Sequence, residues 1–290
     1  MKISKEKTLP LIMSALREDL GTGDITSYAV FEKDVNVMAD IIAKQDCILS
    51  GIDVAKWVFA AVDERVIFRG LCKDGDIIKK GKKVVSLKGS IRAILSAERT
   101  ALNFLSRLSG VSVITNKFVK KVKGTKVQVL DTRKTTPGFR ELEKYAVRLG
   151  GGYNHRLGLY DSILIKDNHI KGAGFVLHTS RSKVIAEIIK MSRARGYKNI
   201  ELEVENLREC SEAMDAGVDI LLLDNMKIED IKKAVKLRKS KRLKTVLEVS
   251  GGVNLENIAK IAKTGVDRIS VGALTHSASS IDFSLEICSD

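Results

Sequence analysis

Three clusters of cations in the middle of the chain have the composition of an anion grip. Asp131-Thr132-Arg133-Lys134-Thr135-Thr136-Pro137-Gly138 sets an arginine beside a lysine. Arginine offers a planar fork that matches a carboxylate or phosphate, and lysine a compact charge. Gly150-Gly151-Gly152-Tyr153-Asn154-His155-Arg156 puts three glycines before His155 and Arg156. Glycines let the backbone approach a ligand closely. Lys166-Asp167-Asn168-His169 is the third cluster. One such cluster would be unremarkable surface charge. Three in succession suit a ligand with at least two acidic groups.

Acids and glycines follow. Glu201, Glu203 and Glu205 alternate along an apolar run, so they share one face of a strand. Carboxylates do not pack against helices, so that face is expected to line a mouth. Asp224 ends the next apolar run. Acids on two adjacent strands could hold Mg2+, hydrogen-bond a ribose, stabilise an oxocarbenium-like centre, or pair with the cations. Ser250-Gly251-Gly252 and Ser270-Val271-Gly272 stand one β/α repeat apart. Backbone N–H groups in such loops bind phosphate. Together these residues fit a polyanionic small molecule and a sugar phosphate, which favours glycosyl or phosphoribosyl transfer.

The elements that must position them are legible as a rhythm. VQVL, SILI, IELEV, ILLL, TVLEV and RISV are apolar runs, and each leads into one of the polar or glycine-rich clusters. Buried parallel strands have this form. Catalytic residues of a β/α barrel sit at the C-terminal ends of its strands. Helices are expected at about 139–149, 180–195, 207–216, 228–239 and 254–264. Six strands fall short of a closed eight-stranded barrel. The expectation is therefore an α/β chain whose residues 113–274 form an incomplete or open β/α barrel.

Residues 1–112 have the texture of a separate α/β domain. An amphipathic helix opens it, followed by a turn at Leu20–Thr26. Asp74-Gly75-Asp76 and Lys80-Gly81-Lys82 suit tight hairpins, in the manner of the half-barrels of biotinyl and lipoyl carriers. No carrier lysine motif is present, so the role is structural. Residues 94–109 form a helix with Leu95, Leu102, Leu105 and Leu108 on one stripe. Arg99 and Arg107 lie off that stripe and are expected to be exposed. The closing SIDFSLEI alternates like a strand, and residues 275–290 are expected to fold back onto the first domain.

Bulk properties narrow the partners. The 290 residues are 44% hydrophobic, enough for a real core, and carry a net charge of +14. A basic balance favours anionic partners. No RNP-like, zinc-finger or helix-turn-helix pattern occurs, so nucleic acid is not expected. Much of the lysine, as in Lys232, Lys233 and Lys236, reads as solvated helix surface. The four cysteines form no CxxC and suggest a reducing compartment. The N-terminus is not a signal peptide, and no run is long enough to span a membrane. A cytoplasmic protein is expected.

The strings EDLGTGDITS, AERTALNFLSRLSGV, DTRKTTPGFRELEKYAVRLGGGYNHRLGLYDSILIKDNHI and EVSGGV resemble the quinolinate phosphoribosyltransferase family, the carboxylating nicotinate-nucleotide pyrophosphorylases. The resemblance runs from about residue 10 to the C-terminus. It implies that quinolinate and phosphoribosyl pyrophosphate give nicotinate mononucleotide, pyrophosphate and CO2, a step of de novo NAD synthesis. It also implies Mg2+ and a homodimer or a higher assembly of dimers. By the same resemblance Arg133, Lys134, His155, Arg156 and Lys166 grip the quinolinate carboxylates, and Arg99 reaches in from the partner subunit. Lys134, Lys166, Glu203 and Asp224 would be catalytic, with Glu203 and Asp224 near the ribose and Mg2+, directly or through water. Ser250, Gly251, Gly252, Ser270 and Gly272 would bind phosphate. Two alternatives remain: a molybdenum-transport-associated paralogue, which should lack the full quinolinate grip, and a basic nucleic-acid-binding protein on the same fold.

Overall fold

The computed structural model describes residues 3–288. In chain order the first elements are α1 (Lys5–Leu20), α2 (Ile25–Val30), β1 (Asn36–Ala43), β2 (Cys47–Ile48), α3 (Ile52–Val62), β3 (Ile67–Gly70), β4 (Ile77–Ile78) and β5 (Lys83–Ser90). Next come α4 (Ile91–Lys121), β6 (Gln128–Leu130), α5 (Arg140–Leu149), β7 (Leu164–Ile165), α6 (Asp167–Leu177), α7 (Arg181–Ala194) and β8 (Glu201–Val204). The last are α8 (Leu207–Asp215), β9 (Ile220–Asp224), α9 (Ile228–Ser240), β10 (Val246–Ser250), α10 (Ile258–Ala262), β11 (Arg268–Ser270), α11 (Ala273–His276) and β12 (Phe283–Ile287).

The chain divides into two units. One comprises Met1–Asn116, Thr135–Gly151 and Leu274–Asp290, and the other Lys117–Lys134 and Gly152–Ala273. The expected division was 1–112 with 275–290 against 113–274, whereas residues 113–116 and 135–151 also cluster with the first unit. The helix α4 was expected over 94–109 but runs from Ile91 to Lys121. The helix α5, expected among the barrel helices, clusters with the first unit. Two contacts explain this. The Glu143 carboxylate of α5 is fully buried and accepts hydrogen bonds from Arg107 of α4, with Nη2–Oε1 at 2.6 Å. Gly150 lies so close to α4 that an added Cβ would come within 2.5 Å of Ser112 O. The outermost residues of the expected domains, 1–2 and 289–290, lie outside the described residues.

In the first unit, β12-β1-β5-β3 form an antiparallel sheet, and β2 pairs with β4. The alternating SIDFSLEI segment thus supplies β12, with Ile41 opposite Leu285. Neither of the two expected hairpin turns joins paired strands, since β4 pairs with β2 and β3 with β5, but Asp74 has a capping task. Its Oδ1 accepts the N–H groups of Gly51 and Ile52 at 2.9 and 3.0 Å, at the start of α3. Arg107 is not the exposed charge its spacing suggested. It bonds Glu143 and the carbonyls of Thr275 and Ala278. The stripe that α4 buries includes Ile94, Ala101, Leu105 and Leu108.

In the second unit the six expected apolar runs form one parallel sheet, in the order β6-β11-β10-β9-β8-β7. Leu221, Leu223, Leu247 and Ile269 are fully buried, as strands covered on both faces require. Strands β6 and β7 stand at opposite ends of that order, so the sheet is open. Every ladder is parallel, which brings all six C-terminal strand ends to one edge. One element was not anticipated. Lys166-Asp167-Asn168-His169 does not trail into a loop but starts α6, with Lys166 at the cap.

Candidate active site

The C-terminal edge of the parallel sheet gathers the expected residues of the second unit. Arg133 and Lys134 follow β6, Lys166 follows β7, and Glu203 lies in β8. Asp224, Ser250 and Ser270 are the last residues of β9, β10 and β11. Ladder register sets Ser250 opposite Asp224 and Ser270 opposite Leu130.

The cation clusters are joined by a buried acid. Asp131 is fully buried. Its Oδ1 accepts the His155 N–H at 2.9 Å, and its Oδ2 accepts Asn154 Nδ2 at 2.6 Å. Tyr153 bridges to Leu130 in parallel, so the segment enters beside β6. Arg156 comes next and is only 9% exposed. Its Nη1 donates to Ser162 O at 3.0 Å, while its buried Nε has no hydrogen bond. Burial, and then the like charge of Arg133, pull the Arg156 pKa below its ordinary value. A desolvated guanidinium beside a second cation is a site poised for an anion.

The acids take two depths. At the rim, Lys166 Nζ donates to Glu203 Oε2 at 2.5 Å. Asp224 Oδ2 accepts from Asn225 Nδ2 at 2.9 Å. Deeper, Glu201 shares the face of Glu203 but is 3% exposed. His155 Nε2 lies 3.1 Å from Glu201 and 3.4 Å from Glu248 Oε1. Burial works against charge on that ring, but the hydrogen bonds and attraction of the two glutamates outweigh it and push the His155 pKa up to about 10. Burial in turn pushes the Glu201 pKa up, with the neighbouring Glu248 charge adding to it and His155 opposing.

The glycine loop after β10 has left-handed backbone, which favours glycine. Gly251 has φ 89° and Gly252 φ 60°, and Asn225 beside them has φ 52°. A Cβ on Gly251 would lie 2.2 Å from Asn225 Oδ1 and 2.8 Å from Asn225 N. Ser270 departs from the phosphate role expected of it. Its hydroxyl is buried and donates to Glu248 Oε1.

Arg99 stands apart. It belongs to the first unit, and its side chain is 63% exposed with Glu98 at 3.9 Å. Three residues escaped the sequence reading: Asp131 as a clamp, Glu201 as more than a neighbour of Glu203, and Glu248 altogether. A signal existed for the last. Glu248 stands two residues before Ser250, as Glu201 stands two before Glu203, so both face inward. A cavity of about 710 Å3 reaches His155, Arg156 and Glu201, but its other walls, such as Asp219, Val246 and Arg268, lie toward the N-terminal strand ends. The expected cations, acids and glycines lie at the opposite edge.

Fold and site together describe a mixed α/β protein that sets cations, acids and a glycine loop at one edge of an open parallel sheet. Residues 24–109 match the N-terminal domain of quinolinate phosphoribosyl transferase, and residues 111–286 match its C-terminal domain. The chain is 42% identical, over 93% of its length and 90% of the relative's, to a probable carboxylating nicotinate-nucleotide pyrophosphorylase of Bacillus subtilis. It is 38% identical to the corresponding enzyme of Mycobacterium leprae, over 95% of both chains. The solved nicotinate-nucleotide pyrophosphorylase of Francisella tularensis superposes with a TM-score of 0.90 at 42% identity, covering 99% of this chain and 98% of that one. The chain belongs to the quinolinate phosphoribosyltransferase family.

Proposed function

We infer that the C-terminal edge of the parallel sheet carries the family's reaction. Quinolinate and phosphoribosyl pyrophosphate give nicotinate mononucleotide, pyrophosphate and CO2, in de novo NAD synthesis. The observation that carries this is the convergence of Arg133, Lys134, Lys166, Glu203 and Asp224 on one sheet edge, beside a glycine loop. Quinolinate brings two negative charges and the donor several more. A basic mouth offsets their repulsion. Arg133, Lys134, Arg156 and Lys166 take the quinolinate carboxylates. His155 was expected among them, but its Nε2 faces Glu201 and Glu248.

As the ribose C1–O bond loosens, positive charge builds on the ring. Glu203 and Asp224 stabilise it while the pyridine nitrogen attacks. Ribosylation leaves a pyridinium, an electron sink that lets the 2-carboxylate depart as CO2 before a proton replaces it. The positive-φ backbone of Gly251 and Gly252, with Ser250 and Gly272, receives phosphate. Glu203 and Asp224 also suit Mg2+, since both are carboxylates at a part-exposed rim and Mg2+ takes oxygen ligands. When bound, Mg2+ neutralises the leaving pyrophosphate.

We further propose a homodimer, or an assembly of dimers, in which Arg99 serves the neighbour's mouth. Supporting this, α2 exposes Ile25, Tyr28 and Val30, a patch suited to a protein contact. No helix among the described residues is long and apolar enough to cross a membrane, and the four cysteines are free, which fits a reducing cytoplasm. The test is an assay of purified protein with phosphoribosyl pyrophosphate and either quinolinate or nicotinate. Quinolinate alone should yield mononucleotide and CO2. Turnover of nicotinate at a comparable rate would overturn the substrate assignment.

A further inference from the structure

Glu248 has no part in the reaction described above, yet it is fully buried in the middle of β10. An ionisable group in a barrel interior is costly, and an aliphatic side chain would fill the space more cheaply. Its contacts indicate what it holds. Oε1 accepts the Ser270 hydroxyl and lies 3.4 Å from His155 Nε2. Oε2 has no hydrogen bond and lies 4.0 Å from Arg268 Nη1. Glu201, from β8, approaches the same His155 nitrogen at 3.1 Å.

A histidine with two carboxylates has the composition of a metal site, and these three residues offer ligand atoms within 4.8 Å of one another. The geometry speaks against a metal. The Arg156 N–H lies 2.8 Å from His155 Nδ1 and donates to it. The ring proton therefore resides on Nε2, the atom a metal would need bare. The two carboxylates favour a second proton on the ring, whereas the Arg156 N–H needs Nδ1 bare. Both arrangements keep the Nε2 proton, and that proton is what the carboxylates hold.

We propose that Glu248 and Glu201 are positioning residues that hold His155 by its Nε2–H and, through it, fix the Arg156 turn. His155 is then a strut between the barrel interior and the anion grip. The segment is fixed at both ends of this residue. Asp131 takes the His155 N–H, the glutamates take the ring, and the ring takes the Arg156 N–H. Arg156 follows directly, with a buried Nε that has no hydrogen bond. Its guanidinium is held in place before a carboxylate arrives, so less ordering is left to binding. This rests on the reading of Arg156 as a quinolinate residue.

The experiment separates the two claims. Wild-type protein is first tested for mononucleotide formation from quinolinate, and failure there rejects the family reaction itself. Calorimetry then compares quinolinate and phosphoribosyl pyrophosphate binding in Glu248→Gln, Arg156→Ala and the double variant. Glu248→Gln should weaken quinolinate binding about tenfold and leave donor binding within about twofold. In the Arg156→Ala background the same change should cost less than about twofold, because the coupled group is gone. Ser270→Ala, which removes one hydroxyl, runs through the same cycle if Glu248→Gln does not fold. Nitrogen NMR of histidine-labelled wild-type protein should show His155 protonated at Nε2. Undiminished quinolinate affinity in Glu248→Gln, independent losses in the double variant, or a bare Nε2 would each overturn the proposal.

Discussion

Arg156 is kept from water beside another cation, so an arriving carboxylate relieves an existing electrostatic cost. Arg156→Ala should weaken quinolinate binding by about one to two decades, since a charge-assisted hydrogen bond is worth roughly 1.5–3 kcal/mol. Donor binding should change far less, and calorimetry with each substrate checks this. An equal loss for both would reject a carboxylate-specific role. Glu203 acts differently, because the charge it answers develops during the reaction. Glu203→Gln keeps the shape beside Lys166 and removes the charge. It should lower kcat roughly a hundredfold with little change in quinolinate affinity, as expected for a group that acts in the transition state. Steady-state kinetics would sink this role if only KM moved. Lys166 was legible in the sequence because it marks the end of an apolar run, and Glu203 because the family resemblance picks it out of three alternating glutamates. Glu248 was not. Alternation along TVLEV gives the face of each residue but not its depth, and the inner end of this barrel is polar rather than apolar.

At the scale of an element, the loop after β10 shows why residue type and backbone cannot be separated. Gly251 combines a left-handed φ of 89° with a close approach to Asn225. Gly251→Ala should cost about 1–3 kcal/mol in backbone strain and shift the loop away from Asn225. The expected outcome is a lower thermal midpoint and weaker donor binding, with quinolinate affinity kept. Unchanged donor affinity would show that the loop does not bind phosphate. The six parallel strands were visible in the sequence, because strands buried on both faces must be apolar throughout. Helix α6 was hidden. Its sequence DNHIKGAGFVL carries two glycines, weak helix formers, and buries only Ile170. Helix α4 overran its expected end because the leucine stripe marks the packed stretch, whereas Lys120 and Lys121 suit a C-terminal turn.

Over the whole molecule, sequence order and spatial grouping part company at α5. Its place in the first unit rests on Glu143 and Gly150 meeting α4, contacts that local periodicity does not encode. Arg99 raises the same problem between molecules. It lies in the first unit, exposed, on a helix whose apolar face is already buried. Its part in the grip is proposed to be across an interface, and that gives the sharpest test of assembly. Arg99→Ala should be nearly inactive yet still dimeric, and Lys166→Ala should be inactive through its own mouth. If each mouth takes Lys166 from one subunit and Arg99 from the other, a mixed dimer has one mouth with both defects and one with neither. Mixing the two dead proteins under subunit exchange should therefore restore a fraction of wild-type activity, rising with the heterodimer population measured by native mass spectrometry. Were both residues to serve the mouth of their own chain, every mouth in the mixture would carry one defect. A mixture that stays dead despite proven heterodimers would place Arg99 outside the neighbour's site.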